Sequence, residues 1–276
     1  MGLDASVMCN CYTQGKTTPC PFPEYFYVDA EGFPTLDLPF EGNEDKFEEL
    51  DEWLATCCEH PHMDYAAVYV ANWKGYRSFR EALEQIGWEH FPVLEAELPH
   101  SNQGLTSPQA AQKALEELER FASAGKNISK AFLVDSDTGE ALASSTLAYG
   151  GMFGWDGRTG MNLGFDEHGF FIVDAWEFNR ELFRAMRFEQ KPLVSDSLDK
   201  PQQFEFTDLD TGRQFVCSTP LKLFTKDISG QLKQSYPHRV HVEQRVVEVD
   251  YFSYILGPLT HIFQAAVETG NPVRWS

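Results

Sequence analysis

The sequence predicts an α+β fold, a mixed helix and strand part followed by a hairpin-rich antiparallel part, around a shared or adjoining core. Three observations carry this. Apolar residues recur at helical spacing in two early segments, 43–59 and 107–121. Turn-forming runs such as Asp135-Ser136-Asp137-Thr138-Gly139 recur after residue 130 between extended stretches. A chain of 276 residues with 22 Phe supplies enough buriable surface for a substantial core. The texture changes near residue 125, which gives an acidic helix and strand subdomain, 1–125, and a hairpin-rich β subdomain, 126–276, that ends in a helix.

Leu3 to Tyr12 reads as an opening strand. A Pro-rich loop around Cys20-Pro21-Phe22-Pro23 and a short extended stretch, Tyr25 to Val28, follow. Residues 43–59 read as a helix: Asn43 caps it, acids fill its first turn, and Phe47, Leu50, Trp53, Leu54 and Cys57 form its apolar stripe. Tyr65 to Val70 predicts a strand, Phe79 to Ile86 a helix stopped by Gly87, and Phe91 to Leu98 a strand despite Pro92. Thr106-Ser107-Pro108 starts a helix through Ala114, Leu118 and Phe121, with Gly125 just past its end.

In the second part, Phe132 to Val134 and Phe204 to Phe206 each lead into an Asp-x-Asp-x-Gly turn, and Gly164 to Gly169 makes a third. A calcium reading fails because the twelve-residue loop and its closing Glu are absent. Arg180, Arg184 and Arg187, with Glu177 and Glu181, have the spacing of a solvated helix face. Arg239, His241, Glu243 and Arg245 alternate as the exposed face of a strand, and Tyr251 to Glu268 forms a last helix closed by Gly270.

Charge excludes several functions. There are 42 acidic against 22 basic residues, a formal net of −20, which disfavours nucleic acid and anionic membranes as partners. Residues 1–125 hold 22 acids and 7 bases, and seven of those acids fall between Glu41 and Glu52. The start, MGLDASVMCNCY, has neither a basic n-region nor an apolar h-region, and no run reaches the roughly 18 apolar residues of a membrane helix. A cytoplasmic protein with reduced thiols is therefore expected. Met1-Gly2 followed by Ser6 also fits an acylation pattern, but a buried strand explains the same residues and the surrounding acids oppose an anchor.

The chemistry-bearing constellation is Cys9-x-Cys11 together with Cys57-Cys58-Glu59-His60-Pro61-His62. On a strand, Cys9 and Cys11 share one face; on the helix, Cys57 falls inside the apolar stripe and Cys58 at its edge. Zinc, which takes four thiolate or imidazole ligands from two segments, is the cofactor this pattern suits. The expected quartet is Cys9, Cys11, Cys58 and His60, with Cys20 and His62 as substitutes. Unrelated buried thiols, a redox dithiol, or a Cys58 nucleophile with His60 or His62 as base are the other readings.

A second constellation is the glycine-rich run from Tyr149 to Gly160, in which Gly151 and Gly154 would let backbone amides approach a phosphate and Arg158 would clamp it. It matches neither the P-loop nor a dinucleotide fingerprint, and tight turns with a bulge explain it as well. Asp156, Glu167 and His168 are the acid/base candidates if this run rims a pocket.

The stretches MGLDASVMCNC, GNEDKFEELDEWLATCCEHP and ETGNPVRW resemble a group of uncharacterised bacterial proteins, the similarity running through the whole chain. It implies a bacterial origin and brings no activity, ligand or catalytic residue with it. The function expected from the residues is that of an acidic binding protein, immunity-type or regulatory, that recognises a basic protein and carries a structural zinc site. The alternative is an enzyme, either a zinc-dependent or Cys/His hydrolase or one that takes a nucleotide at the glycine-rich run.

Overall fold

The computed structural model describes residues 2–124, 128–146, 148–193, 203–226 and 232–276. Gly125, the expected stop after the second long helix, lies outside them, as does the expected boundary at 125/126. The secondary structure is α+β and sheet-rich, with antiparallel pairing throughout. The chain forms two compact units, residues 1–126 with 248–276, and residues 127–247.

The first unit opens with β1 (Gly2–Met8), where alternate Leu3, Ala5 and Val7 are buried. A small hairpin, β2 (Phe26–Val28) and β3 (Pro34–Leu36), precedes α1 (Glu44–Thr56), which buries Leu50 and Leu54. A 3₁₀ turn, Pro61–Met63, feeds β4 (Asp64–Asn72). Helix α2 (Trp73–Ile86) begins earlier than the Phe79 expected, because the Asn72 side chain accepts the Gly75 N–H at 2.7 Å and caps it. Then come α3 (Pro92–Glu97), β5 (Leu105–Thr106) and α4 (Pro108–Ala124).

Helix α3 replaces the strand expected at Phe91 to Leu98. Pro92 sits in its first turn, where its missing N–H costs nothing. The freed Val93 and Leu94 N–H groups donate to the buried Glu117 carboxylate on α4, at 3.1 and 2.8 Å. Glu117→Ala is therefore expected to cost roughly 2 kcal/mol in urea unfolding, as two orphaned donors and a charge-assisted contact would imply, while Glu117→Gln retains part of it.

The second unit consists of β6 (Ile128–Asp135), β7 (Ala141–Ser144), β8 (Met152–Asp156), β9 (Met161–Asp166), β10 (Gly169–Asp174), β11 (Arg180–Ala185), β12 (Arg187–Pro192), β13 (Phe204–Asp208), β14 (Gln214–Cys217), β15 (Leu223–Lys226), β16 (Leu232–Ser235) and β17 (Arg239–Val247). Six strands make one sheet in the order β14-β13-β12-β17-β6-β7, four make a second, β11-β10-β9-β8, and β15 pairs with β16. Phe170 of the four-stranded sheet stacks on Phe188 of the six-stranded one at 4.4 Å between centroids, with Phe206 at 5.9 Å, in a core shared with Leu133, Phe165 and Val240. The expected turns are all present, and Asp135, Asp166 and Asp208 each accept a backbone N–H two residues on, which is what those aspartates do.

Arg180, Arg184 and Arg187 lie on strands β11 and β12, not on a helix. The alternating burial of Phe183 and Ala185 has period two and overrides the helical charge spacing. Arg184 pairs with Glu181 at 2.7 Å and with Asp166 at 2.6 Å.

After a 3₁₀ turn the chain returns as α5 (Ser253–Thr269) and β18 (Val273–Trp275). Sequence texture groups this return with the hairpins; in the structure it completes the first unit. Strand β18 pairs with β1 and β5, giving the sheet order β4-β1-β18-β5, and α5 packs Leu259, Ile262, Phe263 and Ala266 into that unit's core. Gly270, at φ 73°, closes α5 in the left-handed conformation and turns the chain back into the sheet. No helix among the described residues is long and apolar enough to cross a membrane.

Candidate metal centre

Strand β1 stops at Met8, not at the expected Tyr12, so Cys9 and Cys11 lie on the turn that follows it. Asn10 causes the break. Its amide donates to the Thr269 carbonyl at 2.6 Å, and its Oδ1 accepts from Asn271, which also donates to the Met8 carbonyl at 2.7 Å. The N-terminal Cys-Asn-Cys and the C-terminal Glu-Thr-Gly-Asn segments thus hold each other. Cys9 and Cys11 are both buried, at 2% and 5% exposure.

The second segment is fixed by the end of α1. Cys57 is its C-cap, and its carbonyl accepts the Thr18 N–H at 2.8 Å, which lays the 11–18 loop over the helix end. His62 and Met63 then adopt left-handed backbone angles, φ 57° and 60°, an uncommon corner for two side-chain-bearing residues in a row. The corner brings residues 58–60 back towards Cys9, whose N–H donates to the Met63 carbonyl at 2.7 Å.

The thiols of Cys9, Cys11 and Cys58 lie within 4.8 Å of one another. Cys11 belongs to a second set of the same reach, with a Glu59 carboxylate oxygen and a His60 ring nitrogen. The Cys9 and Cys58 sulfurs are 3.8 Å apart. Two bonds of about 2.3 Å meeting at a tetrahedral zinc span about 3.8 Å between their sulfurs, so this pair already has the edge length such an ion requires. Cys9, Cys11 and Cys58 form a set that could hold a metal ion, and His60 joins this cluster through Cys11, the member that the two sets share.

Cys57 takes the core role expected of it. Its thiol points to the Leu54 carbonyl at 3.8 Å, among Leu50, Leu54 and Met63. Cys20 and His62, the substitutes, fall in neither set; His62 instead lines a hollow with Asp64 and Arg274. Burial pushes the Cys9 thiol up to about 12 and Cys57 to about 11, and raises Cys11 as well. Such thiols are protonated at neutral pH unless a cation takes the proton's place, whereas a nucleophilic cysteine needs the opposite shift. The Cys58 thiol donates to the His60 main-chain carbonyl at 3.4 Å, a partner that is no base.

The glycine-rich run is divided between a 3₁₀ turn (Ala148–Gly151), edge strand β8 and the β8–β9 turn, with a bulge between Met152 and Gly154. Gly151 is required by packing: a Cβ there would sit 2.6 Å from the Phe165 carbonyl oxygen. Gly154 and Arg158 line an open hollow of about 620 Å³ and Gly151 does not. Asp156 lies on this hollow, but Glu167 and His168 occupy the β9–β10 turn at the other end of β9, so the three acid/base candidates do not converge. Sequence reasoning missed Lys222 and Thr219 on this hollow, which are distant in the chain, and the Asn10–Asn271 clasp, which carries no local signal. No protein-family model, no curated protein and no solved structure matches the chain, so no function is transferable by similarity.

Proposed function

We propose that this is a zinc-clipped acidic binding protein: Cys9, Cys11, Cys58 and His60 hold a structural zinc ion, and the acidic unit around them recognises a basic protein. The observation that supports the zinc is the convergence of three thiols from two segments, one pair at tetrahedral edge length. Four protein ligands leave no position for water or substrate, which makes the role structural. Zinc supplies the positive charge that the buried thiols lack.

The partner reading rests on where the charge falls. The first unit carries 25 acidic and 9 basic residues, the second 17 and 13. Glu44, Asp45, Glu48, Glu49, Asp51 and Glu52 stand exposed on α1, and Cys58 of the candidate metal site follows the end of that helix. Complementary charge speeds encounter with a cationic partner and is screened by salt.

Metal analysis of protein purified without added metal is expected to give one zinc per chain. Cys58→Ala and His60→Ala should each fall well below that, while Cys57→Ala keeps it. A parent protein without stoichiometric metal sinks the zinc reading. For the partner, pull-down from the native host should recover a basic protein at low salt, lost at high salt and lost when Glu48, Glu49, Asp51 and Glu52 are made neutral. Recovery indifferent to those charges refutes it.

A further inference from the structure

The second unit holds cations that its own carboxylates do not use. Arg180, Arg184, Arg187, Lys191, Arg239 and Arg245 each pair with an acid. Arg158 and Lys222 have no carboxylate within ion-pair distance among the described residues, and both line the hollow of about 620 Å³ beside β8. In a protein with a net charge of −20, two such cations in one hollow make a local anion site.

Other residues give the hollow its shape. Trp155, on the same edge strand, presents its indole with 57% of the residue exposed, a stacking surface at the rim. Asp156 is pinned: one oxygen accepts the Arg158 N–H at 3.0 Å, the other the Thr219 hydroxyl at 2.9 Å. Thr219 in turn meets the Thr159 hydroxyl at 2.9 Å, so the acid is an oriented acceptor on the wall. The Arg158 N–H, with the Thr219 hydroxyl behind it, holds that carboxyl below its ordinary range, so it stays ionised at neutral pH. Phe153, Leu163 and Pro220 supply the apolar wall.

An aromatic face, a fixed acceptor and two cations in a space of this size are complementary to a flat heterocycle with amino groups and a polyphosphate. From this juxtaposition we propose that the hollow binds a nucleoside diphosphate, with its base on Trp155, its exocyclic amine towards Asp156 and its phosphates between Arg158 and Lys222. Side chains, not a glycine cradle, do the recognition. Site and ligand are independent of the metal centre, which lies in the other unit.

Calorimetric titration of the full chain with ADP, adenosine and pyrophosphate tests this. ADP should bind at least about tenfold more tightly than either fragment, since one arm of the site is lost with each. Arg158→Gln and Lys222→Gln should each weaken ADP about tenfold or more and leave adenosine unchanged. Trp155→Ala should lose about tenfold, and Trp155→Phe, which keeps a ring, should recover most of it. Absence of ADP binding at millimolar concentration in the parent protein overturns the proposal. So does pyrophosphate binding as tightly as ADP, because it removes the ring, or ADP binding indifferent to both cation variants.

Discussion

Removal of zinc by a chelator is expected to lower the melting temperature of the first unit by about 10 °C and leave the unfolding of residues 127–247 in place. An ion that binds only the folded state, at a free concentration near a thousand times its dissociation constant, stabilises by about 4 kcal/mol. In a unit of this size each kcal/mol moves the midpoint by roughly 2–4 °C. The effect should be regional. Strand β1 remains held by β4 and β18 without metal, but the 9–18 loop and residues 57–63 are joined through the thiols and two backbone hydrogen bonds, Cys9 to Met63 and Thr18 to Cys57. Hydrogen exchange with and without chelator should show faster exchange in those two segments and in the end of α1. Cys9→Ala with Cys58→Ala should abolish the chelator effect, whereas Cys57→Ala should destabilise through lost burial and keep it. An equal chelator shift in the double variant would place the metal elsewhere.

Which parts of this site could be read from the sequence follows from the range of the forces involved. The division of labour between Cys57 and Cys58 is a matter of helical angle, a local property, and it holds. The hairpin turns were equally legible because an aspartate that accepts the backbone N–H two residues further on needs no tertiary context. The end of β1 was not legible. Nothing near Asn10 forbids a strand; what breaks it is Asn271, 261 positions away. The same distance hides the membership of α5 and β18 in the first unit, since β18 pairs with β1 and β5 and α5 packs on α4 and β4. At α3 the local signals compete: Pro92 suits either an edge strand or a first helical turn, and the carboxylate of Glu117 decides between them. Arg180 to Arg187 failed in the opposite way, by offering a helical charge period over an apolar period of two.

Arg274→Met is expected to cost about 3–5 kcal/mol at neutral pH. The guanidinium is almost wholly buried. It donates to the Ser6 hydroxyl from Nη2 at 2.8 Å and from Nε at 3.2 Å, to the Gly32 carbonyl at 3.0 Å and to the Asp64 carboxylate, and it lies over the Phe33 ring at 4.7 Å. Burial opposes both charges: it lowers the Arg274 pKa and raises that of Asp64, and each ion is the main offset for the other. Methionine keeps the stem but leaves Asp64 ionised and unpaired. The sign of the pH dependence follows. A carboxyl whose folded pKa is raised contributes its full stability below the unfolded value, about 4, and loses it as pH rises through the folded value. The deficit of Arg274→Met should therefore shrink as pH falls towards about 4, and Asp64→Asn should recover part of it at neutral pH. Urea unfolding of the four members of this cycle measures the coupling; additive single effects would mean that the pair does not act as one. The consequence reaches the candidate metal site. Asp64 begins β4 four residues after His60, across the left-handed corner at His62 and Met63. Holding Asp64 in place holds His60 in place, so Arg274→Met should also weaken zinc binding, with no ligand altered, and Arg274→Lys, which keeps the charge but not the fork, should fall between.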